Sequence, residues 1–128
     1  MNLTPSGLRV LVIEDEAVIA MTAEDMIEQL GHEIAGQAAT LDEALEQVGR
    51  CDFDVALLDI NLNGTMSTPV AHALRNAGKA FIITTGYGNS GPQGEFAGVM
   101  VVAKPYTIAT LEHAILNAVN GPARDRLN

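Results

Sequence analysis

The stretch Asp54-Val55-Ala56-Leu57-Leu58-Asp59 decides the fold. A short apolar run with turn-forming residues at its ends is typical of a strand that is buried on both faces of a parallel sheet. A second apolar run, Val10-Leu11-Val12-Ile13, lies far upstream and is followed directly by the three carboxylates of Glu14-Asp15-Glu16. Parallel α/β sheets bind ligands at the carboxyl ends of their strands. The two runs therefore predict one acidic site at that edge of a sheet.

Apolar runs alternate with segments of helical period along the rest of the chain. The predicted strands are 8–13, 32–38, 54–59, 81–84 and 99–103, and the predicted helices are 16–30, 41–48, 68–76 and 107–119. Thr40 and Glu43 form a capping box before the second helix, and Thr68 is the predicted N-cap of the third, with Pro69 at its first turn. Strands that are separated by helices predict an α/β fold with a doubly wound, five-stranded parallel sheet and helices on both faces.

Residues 86–98 interrupt this alternation, because they hold five glycines and Pro92 in thirteen residues. Gly and Pro cost about 1 and 3 kcal/mol each in a helix interior. We therefore expect the fourth helix to be short or disordered. The first seven residues are expected to be a disordered segment, and residues 121–128 a polar tail.

Length and charge narrow the class of protein. A chain of 128 residues fits one domain with a core of its own. The net charge of −9, with only seven Lys and Arg, disfavours direct binding to nucleic acid or to an anionic membrane. Cys51 is the only cysteine, and the sequence has neither a signal-peptide profile nor an apolar run of membrane-spanning length. We expect a cytoplasmic protein.

Four predicted strand ends carry polar side chains that suit one reaction. These residues are Glu14 and Asp15, then Asp59, Thr85 and Lys104. Acidic side chains can hold Mg²⁺, which offsets the charge of phosphoryl oxygens, while Asp59 can attack phosphorus and form an acyl phosphate. A threonine hydroxyl and a lysine ammonium can each bind a phosphoryl oxygen. The set predicts transfer of a phosphoryl group to a carboxylate.

This ordered set resembles the receiver domains of two-component response regulators over residues 8–120. The matching motifs are Val12-Ile13-Glu14-Asp15-Glu16, Leu57-Leu58-Asp59-Ile60-Asn61, Thr85-Gly86 and Lys104-Pro105-Tyr106. The resemblance implies a flavodoxin-like sheet with the strand order 2-1-3-4-5.

The resemblance also implies a role for each residue of the expected site. Asp59 is the implied phosphoacceptor. The implied ligands of Mg²⁺ are Asp15, Asp59, the backbone carbonyl of Asn61 and, through water, Glu14. Thr85 and Lys104 are expected to stabilise the phosphoryl group, and the peptide bond before Pro105 is expected to be cis.

Two features depart from the common receiver pattern. Val101 stands where an aromatic residue three positions before the lysine usually swings inward on phosphorylation. The glycine-rich residues 86–98 replace the usual fourth helix, and residues 81–88 resemble the receiver subgroup nicknamed FAT GUY. We hypothesise that the 86–98 segment gains order when Thr85 is drawn toward the phosphoryl group, with Tyr87 taking part of the aromatic role.

The implied function is that of a signalling domain, not an enzyme. The phosphate would come from a sensor histidine kinase. Only eight residues follow the expected end of the domain at residue 120, so we expect a stand-alone receiver. We also expect it to be a monomer. Its output would be a contact with a downstream protein or phosphotransfer protein, or service as a phosphate sink.

Three other classes fit the sequence less well. A small Mg²⁺-dependent phosphatase or phosphotransferase would also use an aspartyl phosphate, but Asn61 stands where such enzymes carry a second acid. A nucleotide binder would need a glycine-rich loop after the first strand, which this sequence lacks. A pseudo-receiver would have lost part of the acidic, threonine and lysine set.

Overall fold

The computed structural model describes residues 7–86, Phe96 and residues 99–120. The strands are β1 (Arg9–Ile13), β2 (Glu33–Ala38), β3 (Val55–Asp59), β4 (Asn61–Leu62), β5 (Thr65–Met66), β6 (Ala80–Thr85) and β7 (Val101–Ala103). The helices are α1 (Ala17–Gln29), α2 (Leu41–Arg50), α3 (Thr68–Asn76) and α4 (Ile108–Asn120). The expectations for residues 1–6 and 121–128, for the helix within 86–98 and for Tyr87 fall on residues outside the described ranges.

The five long strands form one parallel sheet in the order β2-β1-β3-β6-β7. This confirms the predicted order 2-1-3-4-5, because β4 and β5 form a separate antiparallel pair. In the register of the sheet, Asp59 lies opposite Thr84, and Thr85 lies opposite Ala103. The carboxyl ends of β1, β3, β6 and β7 therefore meet at one edge.

Two apolar layers cover the sheet, one on each face. Alternate residues of β1 and β3 belong to different layers, since Leu11 and Leu58 pack on the side of α2 and α3 while Val12 and Leu57 pack on the side of α1 and α4. All five residues of β3 are buried. This explains why β3 has an unbroken apolar run, and it confirms helices on both faces. Within the described ranges, none of the helices has the length and apolar character needed to span a bilayer.

The helix ends agree with the sequence pattern except at α3. The Thr40 hydroxyl accepts the Glu43 N–H, as the capping box predicts, and Gly31 and Gly78 follow α1 and α3 with φ of +90° and +71°. The predicted N-cap of α3 was wrong by one residue. Ser67 occupies that position, and Thr68 is the first helical residue.

A small hairpin of β4 and β5 follows β3 directly. Strands β4 and β5 are joined by Asn63 and Gly64, which have φ of +54° and +84°. Positive φ at both central residues is the geometry of a type I′ turn, and Asn-Gly is the residue pair that favours it. The hairpin therefore has a sequence signal, although its strands are too short to show any alternation.

Candidate functional site

Three carboxylates meet where β1 and β3 end. One oxygen each from Glu14, Asp15 and Asp59 lies within 4.8 Å of the other two. Glu14 and Asp59 are only 7% and 4% exposed, and Asp15 is half-buried. The bond from the Glu14 N–H to the Ala38 carbonyl, at 3.0 Å, continues the β1–β2 pairing by one residue and fixes where the cluster begins.

Lys104 is the cation that joins this cluster. Its Nζ lies 3.0 Å from Glu14 Oε1 and 3.0 Å from Asp59 Oδ2. Its backbone N–H donates to the Thr85 carbonyl at 2.8 Å, and the peptide bond to Pro105 is cis. One ammonium among three carboxylates leaves an excess of negative charge. Because hard divalent cations prefer oxygen ligands, this donor set fits Mg²⁺.

The main chain around Asp59 is held at several points. Asp59 Oδ1 accepts the Asn61 N–H at 3.1 Å, which keeps Asn61 beside the acid. The Asp59 carbonyl accepts the Ser67 hydroxyl at 2.6 Å, and the Ile60 N–H donates to the Thr84 carbonyl at 2.9 Å. Ser67 was not predicted from the sequence, because a serine that closes a hairpin belongs to no sequence motif and to no periodic apolar pattern.

Asn63 brings the hairpin to the acidic cluster. Its backbone N–H donates to Asp15 Oδ2 at 2.9 Å, and its side-chain amide donates to the Ala39 carbonyl at 3.4 Å. The Gly64 N–H donates to Asn61 Oδ1 at 2.8 Å. Asn63 was not predicted to belong to the site, although the pair Asn63-Gly64 indicates a turn at this place.

The surroundings shift the pKa values of the clustered groups in different directions. Burial raises the pKa of Glu14 to about 7, against the opposing effect of hydrogen bonds from Glu16 and Lys104. For Asp15, burial raises the pKa, but hydrogen bonds, first of all that from the Asn63 N–H, more than offset it and lower the pKa below its usual value. Burial alone would lower the Lys104 pKa, yet its bonds to Asp59 and Glu14 raise it. Asp15 and Lys104 are therefore charged at neutral pH.

Thr84 and Thr85 are both buried, so their burial does not indicate which of the two belongs to the site. Thr85 ends β6 and lies next to Lys104 through its carbonyl, whereas Thr84 lies opposite Asp59 in the sheet. Val101 begins β7, opposite Ile83, and is 37% exposed. It lies at the other end of a short strand from Lys104.

A cleft of about 330 Å³ opens beside the acidic cluster. Its lining comes from α1, from the end of β6 and from the segment after β7: Glu16, Ile19, Thr22, Gly86, Lys104, Pro105 and Tyr106. Burial raises the pKa of Tyr106 to about 12, so its hydroxyl stays protonated. Next to the cleft, Val18 and Met21 of α1 are 76% and 63% exposed.

Sequence relatives of this chain include a two-component response regulator and a transcriptional regulatory protein. It is 32% identical to the two-component response regulator PhoP of Pseudomonas aeruginosa over 117 residues, which cover 88% of this chain and 51% of PhoP. It is 29% identical to the transcriptional regulatory protein PdtaR of Mycobacterium tuberculosis over 116 residues, which cover 88% of this chain and 57% of PdtaR. The chain thus spans about half the length of these relatives.

Solved structures show the same architecture. The solution structure of SdrG from Sphingomonas melonis Fr1 is 36% identical and superposes with a TM-score of 0.78, covering 87% of this chain and 96% of SdrG. The receiver domain of PhyR from Erythrobacter litoralis is 31% identical with a TM-score of 0.74, covering 90% and 92% of the two chains.

Residues 10–116 match the family model described as the response regulator receiver domain. That match spans most of the chain and includes every residue of the acidic cluster and Lys104. The chain belongs to the receiver domain family of two-component response regulators.

Proposed function

We propose that Asp59 accepts a phosphoryl group from a phosphohistidine of a sensor histidine kinase, in a reaction that requires Mg²⁺. The observation that carries this proposal is the arrangement of Asp59 between a lysine ammonium and two further carboxylates. Lys104 Nζ lies 3.0 Å from Asp59 Oδ2, and oxygens of Glu14 and Asp15 lie within 4.8 Å of an Asp59 oxygen.

The proposed step is a displacement at phosphorus. A carboxylate oxygen of Asp59 attacks the phosphorus atom, the P–N bond to the donor imidazole breaks, and its electron pair returns to the imidazole nitrogen. The product is a mixed anhydride on Asp59. Mg²⁺, held by Asp15, Asp59 and the Asn61 carbonyl, with Glu14 acting through water, supplies positive charge for the phosphoryl oxygens when it is bound.

Two residues of the chain itself, Lys104 and Thr85, would bind phosphoryl oxygens in the proposed product. Lys104 offsets part of the negative charge of the carboxylates in the resting site, and its ammonium can bind a phosphoryl oxygen once the anhydride forms. Thr85, at the end of β6, would donate its hydroxyl to a second phosphoryl oxygen. The low exposure of Glu14 and Asp59 strengthens these electrostatic interactions, because little water screens them.

The surface beside the site suits a protein as the phosphoryl donor. Val18 and Met21 are exposed apolar residues on α1, and the Thr22 hydroxyl that helps to line the cleft donates to the Val18 carbonyl at 2.9 Å. An apolar helix face next to a phosphohistidine would cover these side chains while it delivers the phosphate. Exposed apolar residues beside an active site commonly mark such contacts.

Output through a downstream protein or a phosphotransfer protein is part of the same proposal. A solved structure described as the anti-anti-sigma factor PhyR from Bartonella quintana is 26% identical to this chain with a TM-score of 0.79. That description suggests a protein partner as the target of signalling here too. Membership of the FAT GUY subgroup and ordering of the 86–98 segment on phosphorylation stay predictions.

Intact-protein mass spectrometry after treatment with acetyl phosphate tests the proposal. Wild type with Mg²⁺ should gain the mass of one phosphoryl group, and chelation of Mg²⁺ or Asp59→Asn should abolish the gain. Asp54→Asn is the matched control, because Asp54 stands just before the other end of β3 and accepts the Arg9 N–H at 2.8 Å. A phosphoryl group retained in Asp59→Asn would refute the assignment, and repeated turnover of a generic phosphate ester would favour the phosphatase alternative.

A further inference from the structure

We infer that Ser67 is a positioning residue for the phosphoacceptor, holding the peptide group between Asp59 and Ile60 in one orientation. The inference rests on the proposed function of Asp59 and adds a residue that no receiver motif in this sequence contains. Ser67 is 2% exposed and lies eight residues beyond Asp59, across the β4–β5 hairpin.

Both polar ends of that peptide group are bound. Its carbonyl accepts the Ser67 hydroxyl at 2.6 Å, and its N–H, which belongs to Ile60, donates to the Thr84 carbonyl at 2.9 Å. The Ser67 N–H also donates to the Ile60 carbonyl at 2.9 Å. Ser67 thus binds two successive carbonyls and closes the base of the hairpin against the end of β3.

The Ser67 hydroxyl donates to the Asp59 carbonyl and does not cap the first turn of α3. Ser67 is the N-cap of α3, where a serine side chain normally accepts an N–H from the first turn, but it makes no such bond here. Thr40, at the N-cap of α2, does make it, with the Glu43 N–H at 3.1 Å. The first turn of α3 therefore receives no hydrogen bond from the Ser67 side chain, and the Ser67 hydroxyl binds the Asp59 carbonyl instead.

The consequence for the site follows from the chain geometry. The peptide group after Asp59 joins the Cα atoms of Asp59 and Ile60, and Ile60 leads directly to Asn61. Asn61 is the residue whose N–H binds Asp59 Oδ1 and whose carbonyl is a proposed ligand of Mg²⁺. Loss of the Ser67 hydroxyl would leave this peptide group held only by the bond from the Ile60 N–H to the Thr84 carbonyl, so the peptide plane would turn and the nucleophile and the proposed metal ligand would shift together. A misplacement of about 1 Å can slow an enzyme-type reaction about 100-fold.

The variant Ser67→Ala tests this inference, with Thr40→Ala as the matched control. Both changes remove a buried or half-buried hydroxyl at an N-cap, but only Ser67 contacts Asp59. At saturating Mg²⁺ we expect Ser67→Ala to be phosphorylated by acetyl phosphate about tenfold more slowly than wild type, a part of the loss that a full displacement gives. Thr40→Ala should keep the wild-type rate, and Ser67→Thr, which retains the hydroxyl, should recover most of it.

A measurement without Mg²⁺ or phosphate gives a second readout. In Ser67→Ala, the carbonyl carbon resonance of Asp59 should move and the Ile60 amide should exchange faster with solvent, whereas Thr40→Ala should change neither. Two results would overturn the positioning role. One is phosphorylation of Ser67→Ala at the wild-type rate, and the other is an equal loss of rate in Thr40→Ala. No labelling of wild type would instead overturn the proposed function of Asp59, on which this inference depends.

Discussion

Replacing Lys104 with methionine should destabilise the fold, and Mg²⁺ should reverse about half of the loss. Methionine keeps most of the apolar length of the lysine side chain but removes its ammonium. Glu14 and Asp59 would then each lose a bond of 3.0 Å, and three carboxylates would share one site without a cation. The resulting repulsion gives the cluster a stronger need for a divalent ion.

The burial of the pairs sets the size of the effect. The side chains of Lys104, Glu14 and Asp59 are 11%, 6% and 5% exposed. Removing one partner of a buried ion pair typically costs 3–5 kcal/mol, because the remaining charge stays buried. We expect Lys104→Met to lower the free energy of unfolding by about 3 kcal/mol at pH 7.5 without Mg²⁺. This value is at the lower end of that range, because protonation of Glu14 relieves part of the repulsion.

Urea denaturation with and without Mg²⁺ measures this loss. Mg²⁺ should bind Lys104→Met about tenfold more tightly than wild type, which adds about 1.4 kcal/mol of stabilisation at saturating Mg²⁺. The matched control is Lys79→Met, because Lys79 Nζ donates to the Phe53 carbonyl at 2.8 Å and lies 4.9 Å from the Phe53 ring centre, away from the acids. That variant should lose about 1 kcal/mol with no dependence on Mg²⁺.

Two results would refute the reasoning about Lys104. A Lys104→Met protein as stable as wild type without Mg²⁺ would mean that the ammonium does not hold the cluster together. An equal gain from Mg²⁺ in Lys104→Met and in wild type would mean that the ion binds elsewhere.

Three further predictions concern other parts of the domain. Changing both Val18 and Met21 to serine should slow phosphotransfer from a histidine kinase about tenfold, the effect of roughly 1.4 kcal/mol of lost binding, and leave the rate with acetyl phosphate unchanged. His32 accepts the Leu8 N–H at Nδ1 and burial lowers its pKa, so protonation of His32 favours the unfolded chain and its contribution to stability should fall between pH 7.5 and pH 5.5, opposite in sign to that of Glu14, whose pKa is raised. His32→Asn should therefore lose less stability, or gain more, than wild type over that interval. Phe96→Ala should lower the free energy of unfolding, measured by urea denaturation, by about 3 kcal/mol. The reason is that Phe96 is buried and its ring centroid lies 4.4 Å from Arg75 Cζ.

Each of these predictions has a control. Leu45→Ser changes an exposed apolar residue of α2 and should leave kinase phosphotransfer unchanged; a loss equal to that of the Val18 and Met21 double variant would mean that the α1 face is not specifically involved. An unchanged pH slope in His32→Asn would show that His32 is not the titrating group. Phe96→Leu should recover most of the lost stability, and a loss under about 0.5 kcal/mol in Phe96→Ala would mean that Phe96 does not anchor its segment.

The sheet and its acidic edge were predictable from sequence for a simple physical reason. Strands buried on both faces need unbroken apolar runs, and β1 and β3 each have one that ends at an acid. Parallel pairing then brings those ends to one edge, so the closeness of Asp15 and Asp59 follows from chain order. Lys104 reaches the same edge because β7 is parallel to β6.

The contacts that hold the site in shape were not predictable in the same way. The bonds from Ser67 to Asp59 and from Asn63 to Asp15 both depend on a hairpin with strands of two residues, which is too short for any periodic pattern. Thr68 and Ser67 are both good N-cap residues, so sequence could not choose between them. Composition likewise could not show that Phe96, within a glycine-rich stretch, packs between Phe81 and α3.

The most direct test of the central claim is to locate the acyl phosphate itself. After treatment with acetyl phosphate and Mg²⁺, borohydride reduction converts a phosphorylated aspartate to homoserine, which tandem mass spectrometry assigns to one position. Homoserine is expected at position 59 and at no other aspartate, with none formed when Mg²⁺ is chelated. Homoserine at Asp15 or Asp54, or formation at Asp59 that is indifferent to Mg²⁺, would contradict the central claim.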